Sequence, residues 1–225
     1  MKIGILQTGH APDEVLGTLG NYDQMFEKLL DGHGLEFETY AVVDGAFPDG
    51  PEVCDGWLIT GSRHGAYEDH PWIAPLEDLI RAIRDARRPL VGICFGHQII
   101  AQALGGRVEK YVGGWAVGRQ DYDFNGETLA LNAWHQDQVT ALPPGAQVEA
   151  RNPFCAHAAL SYGARIFTVQ PHPEFGAAMI EALITHRGKA LPPALIEEAR
   201  AGLDRPVAAD RIARRLVATL KGAPA

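Results

Sequence analysis

The chain has 225 residues, enough to bury one large hydrophobic core or two smaller ones. Its hydrophobic content of 46% is ordinary for a globular protein, and no stretch approaches the roughly 18 consecutive apolar residues of a membrane-spanning helix. The formal net charge of −8 disfavours nucleic acid as a partner, because a nucleic-acid-binding surface needs a basic face.

Apolar runs alternate with amphipathic segments along the first half of the chain. The runs predict strands over 2–7, 37–43, 56–60 and 89–93. Helical periodicity predicts helices over 21–30, 72–88 and 96–104. This alternation is typical of an α/β fold, in which a parallel sheet carries helices on both faces.

The pattern changes after Gly105-Gly106, where short strands separated by turn signals such as Asn125-Gly126 replace the alternation. These strands are predicted over 107–111, 115–122, 128–131, 147–151 and 164–169. A further helix is predicted over 175–186. The Ala-rich C-terminal tail is also predicted to be helical, with breaks near 192–193 and 202. We expect one domain over 1–225, with a core of about 1–187 and a helical extension over 188–225. Core packing is the expected use of the apolar face of the last helix.

Cys94 lies in the sequence Gly92-Ile93-Cys94-Phe95-Gly96, at a predicted strand-to-helix junction. A small residue two positions before and after a nucleophile is typical of a nucleophile elbow, a tight turn that exposes the side chain. The start of a helix favours a thiolate, and the amide of Phe95 would point at a developing oxyanion. A buried cysteine in a glycine-rich turn is the simpler alternative.

A thiol nucleophile needs a base, and the sequence VQPHPEF over 169–175 offers one. His172 and Glu174 are two residues apart, so in an extended segment both side chains lie on the same side. Pro171 and Pro173 exclude a helix and stiffen this segment. Glu174 could therefore hold the imidazole in one tautomer.

The motifs GICFGHQ and QPHPE, in this order, resemble the signature of class I glutamine amidotransferases with a Cys-His-Glu triad. The resemblance covers roughly residues 1–185. It implies a flavodoxin-like, mostly parallel sheet flanked by helices with added antiparallel strands, and a triad of Cys94, His172 and Glu174. Within the family, the chain resembles the amidotransferase domain of GMP synthase and a stand-alone branch that includes γ-glutamyl peptidases.

The resemblance also implies an oxyanion hole. The family has a glycine-rich loop after the third strand, commonly with Gly-Gly-Pro or Asn-Gly-Pro. This chain has Gly61-Ser62-Arg63 there, so the second amide beside that of Phe95 would come from Gly61 or Ser62.

Three further residues are implied as substrate contacts by the same resemblance. Gln98 occupies a position that helps to hold the glutamyl part of the substrate. Gln136 and Asp137, in the segment WHQDQV, correspond to contacts with the α-amino and carboxylate groups. Asp137 could also attract the ammonium group by its charge.

Other cysteines and histidines carry weaker signals. Cys54 and Cys155 lack a glycine frame and a nearby base, and three cysteines without a signal peptide predict a cytoplasmic protein without a disulfide framework. His97 is expected to be structural. His135 and Asp137 lack partners at metal-site spacing, so no metal is expected, and the chemistry requires no cofactor.

The implied reaction is attack of Cys94 on a γ-carboxamide, giving a γ-glutamyl thioester that water hydrolyses. Acting alone, the chain would hydrolyse glutamine or another γ-glutamyl compound. Two alternatives stay open: a glutaminase subunit that supplies ammonia to a separate synthetase partner, or a catalytically silent binding module of the same fold. A thiol hydrolase with histidine directly after the cysteine is disfavoured, because Phe95 stands there. The sequence predicts neither the acceptor nor the oligomeric state.

Overall fold

The computed structural model describes residues 1–222, so the last three residues of the predicted C-terminal extension lie outside the described residues. Eleven strands are described: Lys2–Leu6 (β1), Glu36–Tyr40 (β2), Gly56–Ile59 (β3), Leu90–Ile93 (β4), Arg107–Lys110 (β5), Ala116–Phe124 (β6), Glu127–His135 (β7), Asp137–Ala141 (β8), Gln147–Ala150 (β9), Ala159–Tyr162 (β10) and Ile166–Val169 (β11). Seven α-helices accompany them: Asp13–Leu19 (α1), Tyr22–Leu29 (α2), Ile73–Asp85 (α3), Phe95–Ala103 (α4), Ala177–Arg187 (α5), Pro193–Ala201 (α6) and Ala209–Leu220 (α7).

A seven-stranded sheet in the order β2-β1-β3-β4-β11-β10-β9 forms the centre of the fold. Neighbouring strands from β2 to β11 run parallel, whereas β10 and β9 pair antiparallel at one edge. Strands β1, β3, β4 and β11 are buried almost throughout, as expected for parallel strands covered on both faces. The predicted α/β fold class is confirmed.

The predicted antiparallel additions are also present. Strand β5 pairs with β8, and β6 forms a hairpin of nine residue pairs with β7. The hairpin turns at Asn125 and Gly126, whose φ angles of 52° and 97° are those that a two-residue hairpin loop requires. Several of these strands differ in extent from the sequence-based prediction, and β8 and β10 were not predicted.

Two hydrophobic layers cover the main sheet. On one face, helices α2 and α7 pack against the apolar side chains of β1, β4 and β11. On the other face, helices α3 and α4 pack against β3 and the opposite side of β4. The apolar face of α7 is buried, with Leu216 and Leu220 fully covered, so this helix is part of the core packing.

Helix α1 was not predicted, because its sequence DEVLGTL is short and contains Gly17 and Thr18, which weaken the helical pattern. The predicted strand over 37–43 ends at Tyr40, where the chain turns into a 3-10 helix over Val42–Asp44. The predicted helix over 72–88 ends at Asp85, and Arg87 then takes a positive φ of 57°. Within residues 1–222, no helix is long and apolar enough to cross a membrane.

Candidate active site

Cys94 lies at the tight turn between β4 and α4. Its φ of 53° and ψ of −103° are strained for a residue with a side chain. The two flanking glycines are sterically required: a Cβ on Gly92 would lie 2.6 Å from the backbone of Gly96, and a Cβ on Gly96 would overlap the carbonyl group of Ile59. The amide of Gly96 donates to Thr60 O at 3.1 Å, which ties the elbow to the end of β3.

The pairing of β4 with β11 brings the second motif next to the cysteine. The amide of Cys94 donates to Val169 O at 2.9 Å, at the carboxyl end of both strands. The chain then leaves the sheet, and the amide of His172 donates to Asn132 O in β7 at 2.8 Å. The Asn132 side chain in turn donates to Phe175 O at 2.8 Å, so β7 holds the segment from both ends.

The imidazole of His172 is held on two sides. Its Nδ1 lies 2.6 Å from Oε1 of Glu174, whose side chain is only 1% exposed. The ring of Phe175 stacks on the imidazole, with ring centroids 3.9 Å apart and an interplanar angle of 1°. Because Nδ1 faces Glu174, Nε2 is the nitrogen left for another partner.

The environment of His172 favours an imidazolium ion. Burial lowers the pKa of His172, but the charges of Glu174 and Cys94 and their hydrogen bonds outweigh this effect and raise the pKa to about 10. A protonated imidazole between a carboxylate and a thiol is the arrangement that stabilises a reactive thiolate.

The loop after β3 passes directly over this pair. A Cβ on Gly61 would lie 3.0 Å from Cε1 of His172 and 3.8 Å from Cβ of Cys94. The carbonyl oxygen of Gly61 accepts hydrogen bonds from the hydroxyl groups of Thr8 and Thr60, both at 3.1 Å. Since a trans peptide points its N–H away from its C=O, the amide of Ser62 faces away from Thr8.

A cavity of about 630 Å³ opens over Cys94. Among the sequence-predicted site residues, its lining includes Ser62, Cys94, Gln98, Gln136, Asp137 and His172. Of the remaining three, Gly61 lies against His172, Glu174 lies behind the imidazole, and Phe95 begins α4, where a backbone amide has no acceptor within the helix. The fold therefore brings all nine residues to one place.

The side-chain amide of Gln98 is already used within the protein. It donates to Asp137 O at 2.9 Å and to Gln170 Oε1 at 3.1 Å. Gln98 thus fixes the backbone at the start of β8. Gln136 similarly donates its side-chain amide to Tyr111 O at 3.2 Å.

The carboxylate of Asp137 points to the cavity and accepts a hydrogen bond from the Tyr67 hydroxyl at 3.2 Å. Burial raises the pKa of Asp137, whereas the Tyr67 hydrogen bond and the charge of Lys110 lower it. A half-buried acid at this position can attract a cationic group of a ligand.

Sequence reasoning missed several residues of the cavity wall. Arg63 and Arg187 line it and are both exposed, and neither forms a salt bridge or a side-chain hydrogen bond within residues 1–222. Lys110 and Tyr67 also line it. Arg187 lies at the end of α5, outside both motifs, and only the fold brings it to the cavity.

His97, His135 and Cys155 are buried residues without a place in the triad. Burial lowers the pKa of His97 and of His135 to about 3, so both imidazoles are neutral. His97 Nδ1 pairs with Thr168 Oγ1 at 2.8 Å, and His135 Nδ1 faces the backbone oxygen of Asp137 at 3.2 Å. Burial raises the pKa of Cys155 to about 12, which leaves its thiol unreactive.

Comparison with known proteins identifies the family and the fold. A sequence profile of the family described as glutamine amidotransferase class-I matches residues 52–185. Gamma-glutamyl peptidase 4 of Arabidopsis thaliana is 32% identical over 183 residues, which cover 74% of this chain and 73% of the relative. A GMP synthase of Cupriavidus pinatubonensis is 34% identical over 151 residues, which cover 57% of this chain but only 27% of that enzyme. The crystal structure of a glutamine amidotransferase from Methylobacillus flagellatus has the same fold, with a TM-score of 0.80 at 24% identity over 99% of this chain and 94% of that one.

Proposed function

The chain belongs to the class I glutamine amidotransferase family, and from this premise we propose that it is an enzyme that hydrolyses γ-glutamyl amide bonds through a cysteine nucleophile. The observation that best supports the proposal is the arrangement of three side chains at the bottom of the cavity. The strained elbow presents Cys94, His172 lies beside it, and Glu174 holds Nδ1 of the imidazole at 2.6 Å.

In the acylation step, the Cys94 thiolate attacks the γ-carbonyl carbon and forms a C–S bond. His172 donates a proton from Nε2 to the leaving nitrogen as the C–N bond breaks. Glu174 keeps Nδ1 protonated and stabilises the imidazolium, as the carboxylate does in other triads. The product of this step is a γ-glutamyl thioester and a free amine or ammonia.

Two backbone amides are suited to stabilise the oxyanion of the tetrahedral intermediate. The first belongs to Phe95, at the start of α4. We assign the second to Ser62 rather than Gly61, because the threonine hydroxyl groups that hold the Gly61 carbonyl direct the Ser62 amide to the opposite side. Removing one such donor typically costs about 10²–10³ in rate.

In the deacylation step, neutral His172 takes a proton from water, and the hydroxide attacks the thioester carbon. The C–S bond breaks, the thiolate of Cys94 is restored, and glutamate leaves. No other group is needed for the proton or electron balance of either step.

The cavity favours a γ-glutamyl compound larger than glutamine. Its volume of about 630 Å³ lies within the range of roughly 300–1,000 Å³ that accommodates drug-sized ligands. Asp137 provides a negative charge for the α-ammonium group of the glutamyl part. Arg63 and Arg187 provide unpaired positive charges for an anionic leaving group, such as the carboxylate of a peptide. Similarity to a γ-glutamyl peptidase supports the same substrate class.

The alternative function is a glutaminase subunit that passes ammonia to a separate synthetase partner. Similarity to part of a GMP synthase favours this alternative. A silent binding module is the third candidate, and the intact triad geometry argues against it.

The deciding experiment measures glutamate release by the purified chain from glutamine and from γ-glutamyl dipeptides, each with a free or an amidated C-terminus. Cys94→Ala is the control for thiol-dependent turnover. Preferential hydrolysis of the free-acid dipeptides supports the proposal. Hydrolysis of glutamine alone favours the glutaminase subunit, and no turnover combined with normal thiol alkylation of Cys94 would overturn stand-alone activity.

A further inference from the structure

Three side chains that can bind a metal converge on the loop that follows β3. The oxygen Oε2 of Glu68 lies 2.8 Å from Nε2 of His70 and 3.5 Å from Nδ1 of His64. Each of the three side chains offers one ligand atom, and these atoms lie within 4.8 Å of one another. The catalytic scheme uses none of these side chains.

The imidazole rings are held in place by a buried aromatic residue. Trp72 is only 7% exposed, and the ring of His70 stacks parallel to it at an angle of 7° with centroids 5.9 Å apart. The ring of His64 meets the same indole edge-on at 5.8 Å and that of His70 at 4.3 Å. The two imidazoles are therefore packed edge to face against each other before any ligand arrives.

The separations are close to those of a tetrahedral transition-metal ion: the 3.5 Å distance between Glu68 and His64 matches, and the 2.8 Å hydrogen bond between Glu68 and His70 would lengthen by about 0.5 Å when an ion replaces the shared proton. With metal–nitrogen and metal–oxygen bonds of about 2.0–2.2 Å, two ligands of such an ion lie roughly 3.3–3.5 Å apart. Two imidazoles and a carboxylate form a set that suits Zn²⁺ and similar borderline cations rather than Ca²⁺ or Mg²⁺, which prefer oxygen. Three protein ligands would leave the fourth position for water or another small ligand.

We propose that His64, Glu68 and His70 form a binding site for a divalent transition cation such as Zn²⁺, at the rim of the active-site cavity. The site spans one irregular loop, so a bound ion would cross-link that loop. His64 and Glu68 also line the cavity, which places the ion beside the substrate path.

The loop contacts the candidate active site at two places, so a stiffer loop would restrain active-site residues at both. The amide of His64 donates to Oγ of Ser62 at 3.1 Å, next to the amide assigned to the oxyanion. On the other side, Tyr67 donates its hydroxyl to Asp137. A cation bound to His64 and Glu68 would hold both ends of the segment that contains Tyr67. It would thereby restrain Ser62 and Tyr67 at the same time.

The test measures binding of Zn²⁺ by equilibrium dialysis, in a Cys94→Ser background that removes the catalytic thiolate as a competing ligand. We expect one zinc ion per chain. Glu68→Gln and His70→Asn should each weaken binding at least ten- to a hundredfold, the loss that follows even from removing an outer-shell partner of a metal ligand. Hydrogen exchange of amides in residues 61–72 should slow when zinc is added.

The matched control is His186→Asn, because His186 also lies beside a glutamate, with Nδ1 3.8 Å from Glu14, but outside any three-ligand group within residues 1–222. This variant should bind zinc as the background protein does. Unchanged binding in Glu68→Gln and His70→Asn, or no binding in the background, would overturn the proposal. Unfolding curves without metal verify that each variant is folded. Since no turnover is measured, this outcome is independent of the proposed hydrolase function.

Discussion

Gly61 and His172 lie in direct contact across the active site: a Cβ on Gly61 would come within 3.0 Å of Cε1 of the imidazole. The imidazole cannot readily move away, because Glu174 holds its Nδ1 at 2.6 Å and Phe175 stacks on its ring. Gly61 is thus needed because a side chain at this position would occupy the space of the His172 imidazole.

This contact predicts that Gly61→Ala impairs catalysis more than folding. A methyl group here would displace the imidazole by a few tenths of an ångström or more, and small misplacements of catalytic groups can cost up to about 10² in rate. We expect kcat for γ-glutamyl hydrolysis to fall between tenfold and a hundredfold, with an unfolding midpoint close to that of the wild type. Wild-type kcat in this variant would show that the base has room to move.

Glu174→Gln should lower kcat by about 10²–10⁴, because a neutral amide lacks the charge that stabilises the imidazolium, and its NH2 group can donate to Nδ1 and favour the wrong tautomer. The measurement is steady-state hydrolysis, with circular dichroism as a test of folding. Glu197→Gln, on the exposed surface of α6, is the matched control and should retain full activity. Equal rates in Glu174→Gln and the wild type would remove the carboxylate from the proposed triad.

Two glycine-to-alanine substitutions should have opposite effects on stability. In Gly96→Ala the methyl group would overlap the Ile59 carbonyl, so we expect a loss of at least about 1–3 kcal/mol in the free energy of unfolding. Gly17 lies inside α1 with open space around it, so Gly17→Ala should gain about 0.5–1 kcal/mol. Urea denaturation of both variants checks the pair, and equal shifts would contradict the packing described for the elbow.

The two buried neutral histidines predict a specific acid sensitivity. Burial lowers the pKa of His97 and His135 from 6.5 to about 3, so between these pH values the unfolded chain binds protons that the folded chain does not. Stability should therefore fall as the pH falls below 6.5. Each histidine contributes a slope of up to about 1.4 kcal/mol per pH unit near pH 5.

The variant His97→Asn isolates one of these contributions. Denaturant titrations at pH 6.5 and 5.0 should give a smaller difference in unfolding free energy than in the wild type, by up to about 2 kcal/mol. His33→Asn, in the loop before β2, is the control and should leave the wild-type difference intact. An unaltered pH dependence in His97→Asn would mean that its imidazole gains a proton in the folded state.

The unpaired arginines of the cavity predict substrate selectivity. If they bind an anionic leaving group, Arg187→Ala should lower kcat/KM for a free-acid γ-glutamyl dipeptide about tenfold, as expected for loss of a charge-assisted contact. The amidated dipeptide should be affected little. Arg214→Ala, on the exposed side of α7, is the control. A uniform loss on both dipeptides would assign Arg187 a structural role.

Local sequence patterns predicted the parallel half of the fold and the two motifs, because buried strands and a glycine-framed elbow leave signals within a few residues. They did not predict β10, since its sequence ALSY is too short and too low in β-branched residues to stand out. Nor did they group Arg63 with Arg187, or His64 with Glu68 and His70. Those groupings depend on loop conformation and on where α5 ends, which periodicity does not report.

The place of β11 in the sheet has a consequence for how activity develops as the chain folds. The strand that precedes His172 is inserted between β4 and β10, although β5 to β10 separate it from β4 in sequence. Pairing over such a distance closes a long loop and is intrinsically slow. We therefore expect the cysteine to gain its base late in folding. During synthesis or refolding, its thiol passes through a stage without an imidazole beside it, so recovery of enzymatic activity should lag behind recovery of helical structure.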